Sequence, residues 1–299
     1  MTIGYYPGCT LHSTAKEYEL STKAVFANLD AELEELKDWN CCGAVEASSV
    51  NPLLALSLSA RNVAIAAKDW TKVVVPCPAC LSNLLKVEDE LNSHPEMKAK
   101  LEDIIGQEIP ENKLKIKHPL DIIINDIGLD KIKERIKKPL AGLKVAAYYG
   151  CLLVRPSRRT QFDNPEDPKS LGEIVTALGA ENLNFPYKTK CCGGSLLMTN
   201  EDLTIQMTKN ILISAKDIGA QCIVTACSMC QMALETLYAK VESVSNVKLD
   251  IPVVYFTQLL GLAFGFEPKK LGLHKNLVCA DKLVSAVQRG ESNALSQVN

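Results

Sequence analysis

Lys72-Val-Val-Val-Pro-Cys-Pro-Ala-Cys80 is the stretch that decides the fold, and it has a second copy at Cys222-Ile-Val-Thr-Ala-Cys-Ser-Met-Cys230. Each copy begins as a short, mainly β-branched run, the composition of a buried strand. Each ends in a C-x-x-C where such a strand has to turn. Outward from that turn, the same features recur in the same order. A double cysteine followed by glycine lies upstream, Cys41-Cys42-Gly43 or Cys191-Cys192-Gly193, and 34 residues separate it from the C-x-x-C in both copies. Upstream again stands one more cysteine behind a strand-like opening, Ile3-Gly-Tyr-Tyr-Pro-Gly-Cys9 and Val145-Ala-Ala-Tyr-Tyr-Gly-Cys151. The gaps there are 31 and 39 residues, a difference that a loop insertion absorbs. Downstream, Pro119-Leu-Asp-Ile-Ile-Ile answers Phe256-Thr-Gln-Leu-Leu-Gly. Ten of the 12 cysteines therefore fall into two sets of five.

The chain reads as an internal duplication. The breakers in Lys138-Pro-Leu-Ala-Gly142 divide it into lobes 1–140 and 141–299. Strands are expected near 2–6, 34–39, 72–76 and 113–117, and helices near 13–28, 51–69, 81–91 and 119–127. The second half repeats the order, with strands near 143–148, 183–187, 221–225 and 252–256. Asn51-Pro52 opens one helix with proline in its first turn. Alternation of this kind predicts an α/β fold of two pseudo-symmetric repeats, each a small parallel sheet with flanking helices. Cys9, Cys41 and Cys77, like Cys151, Cys191 and Cys227, then fall just beyond strands, at the edge where parallel sheets hold ligands. Gly8, Gly43, Gly150, Gly193 and Gly194 either let backbone approach a bulky group or serve as ordinary turn residues.

With 299 residues, 47% of them hydrophobic, the chain can bury a full core. Its 33 basic and 35 acidic residues nearly balance, and no basic stretch is interleaved with aromatics, so nucleic acid is not an expected partner. The opening MTIGYYPGCT lacks a charged segment followed by an apolar run, so no secretory signal is expected. Apolar runs such as Leu53 to Leu58 fall far below the roughly 18 residues of a membrane span. A cytoplasmic, reducing setting is expected, where clustered cysteines bind metal or carry out redox chemistry.

Structural zinc wants four tetrahedral ligands, commonly two C-x-x-C pairs. Each set here has five thiols and a single C-x-x-C, and the four histidines (His12, His94, His118 and His274) are too scattered to complete one. All-thiolate ligation favours iron–sulfur chemistry among soft-ligand options. Zinc, and a dithiol role for Cys77/Cys80 and Cys227/Cys230, remain the alternatives. Cys222 reads as a buried small hydrophobe, and Cys279 has no evident partner.

The pattern C-x(31–39)-C-C-G-x(34)-C-x-x-C, present twice, resembles the cysteine-rich CCG-domain family over nearly the whole chain. The YPGC and YYGC openings and the CCG and CCGG motifs look most like the B subunits of heterodisulfide reductases. That resemblance implies two noncubane 4Fe-4S clusters. The first would be held by Cys9, Cys41, Cys42, Cys77 and Cys80, and the second by Cys151, Cys191, Cys192, Cys227 and Cys230. It further implies reduction of the coenzyme M–coenzyme B heterodisulfide in methane-forming metabolism. Neither a C-x-x-C-x-x-C run nor a G-x-G-x-x-G fingerprint is present. The chain therefore reads as a terminal catalytic subunit, and the resemblance implies that it is fed by a ferredoxin-like iron–sulfur subunit, a flavin-containing subunit and an electron-input enzyme.

Such a substrate carries anionic groups that cationic side chains would hold. The candidates are Arg155, Arg158 and Arg159 behind Cys151, His12 and Lys16 behind Cys9, and Lys188 and Lys190 ahead of Cys191. For each, the plain alternative is solvated surface charge. Two other functions compete: an iron–sulfur subunit of a 2-hydroxy-acid or succinate redox complex, and a structural zinc-binding assembly module.

Overall fold

A computed structural model describes residues 1–44, 46–111 and 114–289. The strands are β1 (Thr2–Tyr5), β2 (Glu32–Glu35), β3 (Lys72–Val74), β4 (Lys115–Lys117), β5 (Lys144–Tyr148), β6 (Glu181–Asn182), β7 (Cys222–Thr225) and β8 (Val253–Tyr255). They form two four-stranded sheets, ordered β2-β1-β3-β4 and β6-β5-β7-β8. Every pairing is parallel. The fold is the α/β arrangement of two matching parallel sheets that the duplication predicts. In each sheet the chain runs outward from the first strand, then crosses back over it to the third. The connections therefore part beyond the carboxyl ends of β1 and β3, and of β5 and β7, and a parallel sheet opens a crevice there.

Two expected strands are displaced. The strand near 34–39 is found at Glu32–Glu35, and the one near 183–187 at Glu181–Asn182. Both are sheet edges, held by one neighbour only. Past β2 the chain turns inward at buried Leu36 and reaches Asp38 with φ +56. Past β6 it buries Phe185 and meets Pro186, which has no N–H for a ladder. The helix expected near 81–91 spans Pro78–Ser93. Its proline sits where a missing N–H costs nothing, so Cys80 lies in the first turn. The Pro52–Asp69 helix is capped by Asn51, whose side chain accepts from the N–H groups of Leu53 and Leu54 at 2.9 and 3.1 Å. The helix expected over 119–127 is a short α turn, Pro119–Asp121, that widens into a π turn at Ile122–Ile127.

The halves share their largest core. Tyr5, Tyr18, Phe26 and Leu120 pack in one apolar cluster with Val145, Tyr149, Phe256 and Leu260. Its centre is the contact between the Lys16–Asn28 and Phe256–Ala263 helices. Tyr18 stacks on Tyr255 with ring centroids 4.1 Å apart and planes 2° from parallel. Ser21 Oγ lies 2.7 Å from Thr257 Oγ1, so the contact closes without a stranded hydroxyl at either residue.

Candidate metal centres

Three connections deliver each set of thiols. In the first half, Cys9 lies in the short Gly8–Leu11 helix behind β1. Cys41 and Cys42 lie in the loop behind β2, and Cys77 and Cys80 at the start of the Pro78–Ser93 helix behind β3. Cys42 Sγ is 3.2 Å from Cys80 Sγ, and Cys41 Sγ is 3.6 Å from Cys9 Sγ. The burial is graded alike in both halves. Cys42, Cys77 and Cys80 are buried while Cys9 and Cys41 are exposed. Cys192, Cys227 and Cys230 are buried, Cys191 is exposed and Cys151 lies between. Each set thus has a three-sulfur floor and a two-sulfur rim.

Backbone donors point at the sulfurs in the same pattern. The N–H groups of Gly43 and Ala44 lie 3.4 Å from Cys41 and Cys42 Sγ. Those of Gly193 and Gly194 lie 3.4 and 3.3 Å from Cys191 and Cys192 Sγ. Hydrogen bonds to sulfur favour the thiolate, the ligating form. Cys42 is pulled down to about 3, first by the thiol of Cys41 and then by Cys80, despite its burial. Cys191 is pulled down to about 2, first by Cys151 and then by Cys192. The protons go to partners: Cys41, Cys80, Cys151 and Cys230 are all pushed up by neighbouring sulfurs. The low member is the second of the double cysteine in one half and the first in the other, so the shared reading is one thiolate per pair.

Two features shape room for a bulky group. A Cβ at Gly8 would meet Cys80 Sγ at 3.0 Å, and a Cβ at Gly150 would meet Cys230 Sγ at 2.7 Å. Both glycines have φ near +70, where L residues are strained. Tyr6 and Tyr148 stand behind the sulfurs. Each donates its phenol to the carbonyl just before the double cysteine, Asn40 O at 2.8 Å and Lys190 O at 2.7 Å. Burial, then the nearby sulfurs, hold both phenols protonated. An all-thiolate set of five, lined by amide donors and cleared by glycine, fits an iron–sulfur cluster. Cys222 is fully buried in β7, its thiol raised to about 12 by burial alone, and belongs to neither set. Cys279 is exposed.

Residues flanking the two sets touch at the seam between halves. Thr10 Oγ1, next to Cys9, lies 3.3 Å from Ser228 Oγ, next to Cys227. Leu152 and Met229 of the second half pack on the apolar cluster containing Cys42, Cys77 and Cys80. The candidate cations part company. Arg155 lines a pocket of about 440 Å³ with Cys151, Leu152 and Glu166, and bonds Thr189 O at 3.2 Å and Glu166 at 3.0 Å. Arg158 and Arg159 reach across the seam to Asp89, at 3.3 and 2.9 Å, and the Arg159 hydrogen bond, then the two charges, pull its carboxyl down. Lys188 pairs with Asp167 and lines a separate cavity of about 610 Å³ that holds no cysteine. His12 sits 3.2 Å from Glu35 and edge-on to Trp39. Lys16 and Lys190 are exposed.

Residues that the sequence did not single out hold the frame. Asn83 donates to Ala44 O at 2.8 Å and lies 3.7 Å from Cys42 Sγ. His118 Nε2 lies 2.8 Å from Pro76 O and 3.1 Å from Ala226 O, the carbonyls immediately ahead of Cys77 and Cys227. The tyrosines were visible in the repeated openings. His118 had one signal, a histidine before proline at the place where the second repeat carries Tyr255.

The family model for the CCG cysteine-rich domain matches residues 3–85 and 145–235. The membrane anchor subunit of the 8-methylmenaquinol:fumarate reductase of Wolinella succinogenes is 33% identical over 94% of this chain and 98% of its own. The B subunit of the ferredoxin:CoB-CoM heterodisulfide reductase of Methanosarcina mazei is 31% identical over 92% and 93%. A protein of Archaeoglobus profundus described as like the heterodisulfide reductase B subunit is 31% identical over 90% and 92%. In fold, a hypothetical protein from Helicobacter pylori superposes with a TM-score of 0.70 at 16% identity, covering 91% of this chain and 51% of that one, so this chain spans about half its length.

Proposed function

From the premise that the chain belongs to the cysteine-rich CCG-domain family, we propose that it is the disulfide-cleaving subunit of a heterodisulfide reductase. It is an iron–sulfur redox subunit with relatives in larger reductase complexes. In this reading Cys9, Cys41, Cys42, Cys77 and Cys80 hold one noncubane 4Fe-4S cluster, and Cys151, Cys191, Cys192, Cys227 and Cys230 hold a second. When bound, the clusters supply single electrons and iron that takes up sulfur. The substrate class is a mixed disulfide of two anionic thiols, the coenzyme M–coenzyme B heterodisulfide. Its S–S bond takes two electrons and two protons and yields two thiols, so one centre per sulfur balances the reaction. One observation carries the reading: both five-thiol sets are complete, and the Thr10–Ser228 contact joins their flanking residues across one seam.

The chain's own residues do the positioning. Tyr6 and Tyr148 hold the double-cysteine loops against the strand ends. Leu152 and Met229 pack apolar side chains against the floor of the first set. Arg155, beside Cys151, is the cation best placed for an anionic substrate group. Electrons would arrive from a ferredoxin-like partner, served by a flavin-containing partner and an electron-input enzyme.

A second reading has its own support, the 33% identity to a fumarate reductase component along nearly its whole length. There the chain would carry electrons between a quinol and a fumarate-reducing partner. Among the described residues no helix is long and apolar enough to cross a membrane. The anaerobically purified protein, supplied with reduced viologen, separates the readings. Oxidation of the viologen by the coenzyme M–coenzyme B disulfide supports the first. Inertness to that disulfide, with menaquinol-linked fumarate reduction in the native complex, replaces it with the second.

A further inference from the structure

We infer that His118 is a positioning residue that fixes the separation of the two metal centres, through a hydrogen bond shared between the turns that carry both C-x-x-C motifs. The inference rests on the two-centre reading above. His118 follows β4, caps the Pro119–Asp121 turn and stands 1% exposed, on neither set of thiols. Its ring is oriented from one side by Leu120, whose N–H donates to Nδ1 at 3.1 Å. With Nδ1 an acceptor, the ring proton sits on Nε2. That one N–H faces two carbonyls, Pro76 O at 2.8 Å and Ala226 O at 3.1 Å.

The two carbonyls hold corresponding places. Pro76 precedes Cys77 and Ala226 precedes Cys227, each on the turn from the third strand of its sheet into the C-x-x-C helix. The oxygens lie no more than about 6 Å apart, the two bonds laid end to end. Tyr18 doubles the tie, lying 3.4 Å from Nε2 and donating to Ala226 O at 3.3 Å. Nothing else joins these turns at their backbone among the described hydrogen bonds. A buried bifurcated bond on a ring without flexible torsions beyond χ2 makes a stiff spacer. Two centres that must each engage one sulfur of a single bond about 2 Å long need such a spacer.

The test compares His118→Gln with His118→Asn in the loaded protein. A glutamine amide reaches the place of Nε2, whereas an asparagine amide reaches only the place of Nδ1. The expected result has three parts. Both variants keep the parent's iron and sulfide. His118→Asn cleaves the disulfide about 10- to 100-fold more slowly, the scale on which small misplacements act, and shows an altered magnetic interaction between the reduced clusters by electron paramagnetic resonance. His118→Gln stays within about threefold of the parent in rate and keeps its spectrum. Equal behaviour of the two variants, an unchanged interaction spectrum in His118→Asn, or iron loss from both overturns the inference. The spectrum needs no substrate. A protein inert to the disulfide therefore fails the functional reading while the spectra still decide the role of His118.

Discussion

Single residues here are chosen by what stands a few ångströms away. Gly150 and Gly219 both have positive φ, +69 and +78. A Cβ on Gly150 would strike Cys230 Sγ at 2.7 Å, while one on Gly219 meets nothing within 4 Å. Gly219→Ala is expected to cost only the left-handed backbone penalty, about 1–2 kcal/mol. Gly150→Ala is expected to lose iron from the second set as well, read as lower iron content and visible absorbance; equal iron in both variants would refute the cradle. His118 gives a pH prediction. Burial lowers its pKa to about 4, against the carbonyls of Pro76 and Ala226, which raise it. Between about 6.5 and about 4 the unfolded chain takes up a proton that the native chain refuses. Stability is therefore lost as pH falls through that window, by about 3 kcal/mol at most. Glu235, raised to about 7 by burial, has the opposite slope, since the native chain keeps a proton that the unfolded chain has released. The parent shows the sum of these with its other shifted groups, Glu17 and Cys77 among them. Relative to the parent, His118→Gln is expected to gain stability as pH falls from 7 to 5, measured by urea midpoints. Parallel midpoints would place the titration elsewhere.

At the scale of elements, each double-cysteine loop leaves an edge strand and is tied down by a tyrosine at the carboxyl end of the neighbouring strand. The two ties are unequal. Asn40 O accepts from Tyr6 and also from Asn62 Nδ2 at 2.8 Å. Lys190 O accepts from Tyr148, with no second donor among the described hydrogen bonds. Tyr148→Phe is expected to cost about 1–3 kcal/mol, the penalty of a stranded carbonyl, and Tyr6→Phe less. Thermal unfolding of the two variants checks the order, and a larger loss in Tyr6→Phe would refute it. The edge strands also explain the displaced expectations. Leu36 and Phe185 carried strand-like composition, but they are buried as the loops turn toward the sulfurs. Composition reports burial, and it does not report whether a neighbouring ladder exists to extend the strand.

For the whole molecule, the two sheets are joined by one core. Phe256 is fully buried between the Lys16–Asn28 helix and the second sheet, close to Tyr18 and His118. Phe256→Ala is expected to cost about 3–5 kcal/mol and to shift the unfolding of both halves together. Two separate transitions, with only the second displaced, would show the halves to be independent. Iron and sulfide content gives the complementary measurement: about eight of each per chain is expected if both sets hold 4Fe-4S clusters. Stoichiometric zinc without sulfide would exclude them. The sequence alone determined the duplication, the alternation of strand and helix, and the grouping of ten thiols, because periodicity and spacing are local properties of a chain. It also carried the family resemblance, through motifs written in contiguous residues. Only the tertiary structure decided that residues flanking the two sets touch at one seam, that Arg158 and Arg159 turn to Asp89, and that His118 spans both C-x-x-C turns. Those relations join residues 42 to 218 positions apart. Their partners are selected by how two sheets pack, and no local pattern encodes a distance across a core.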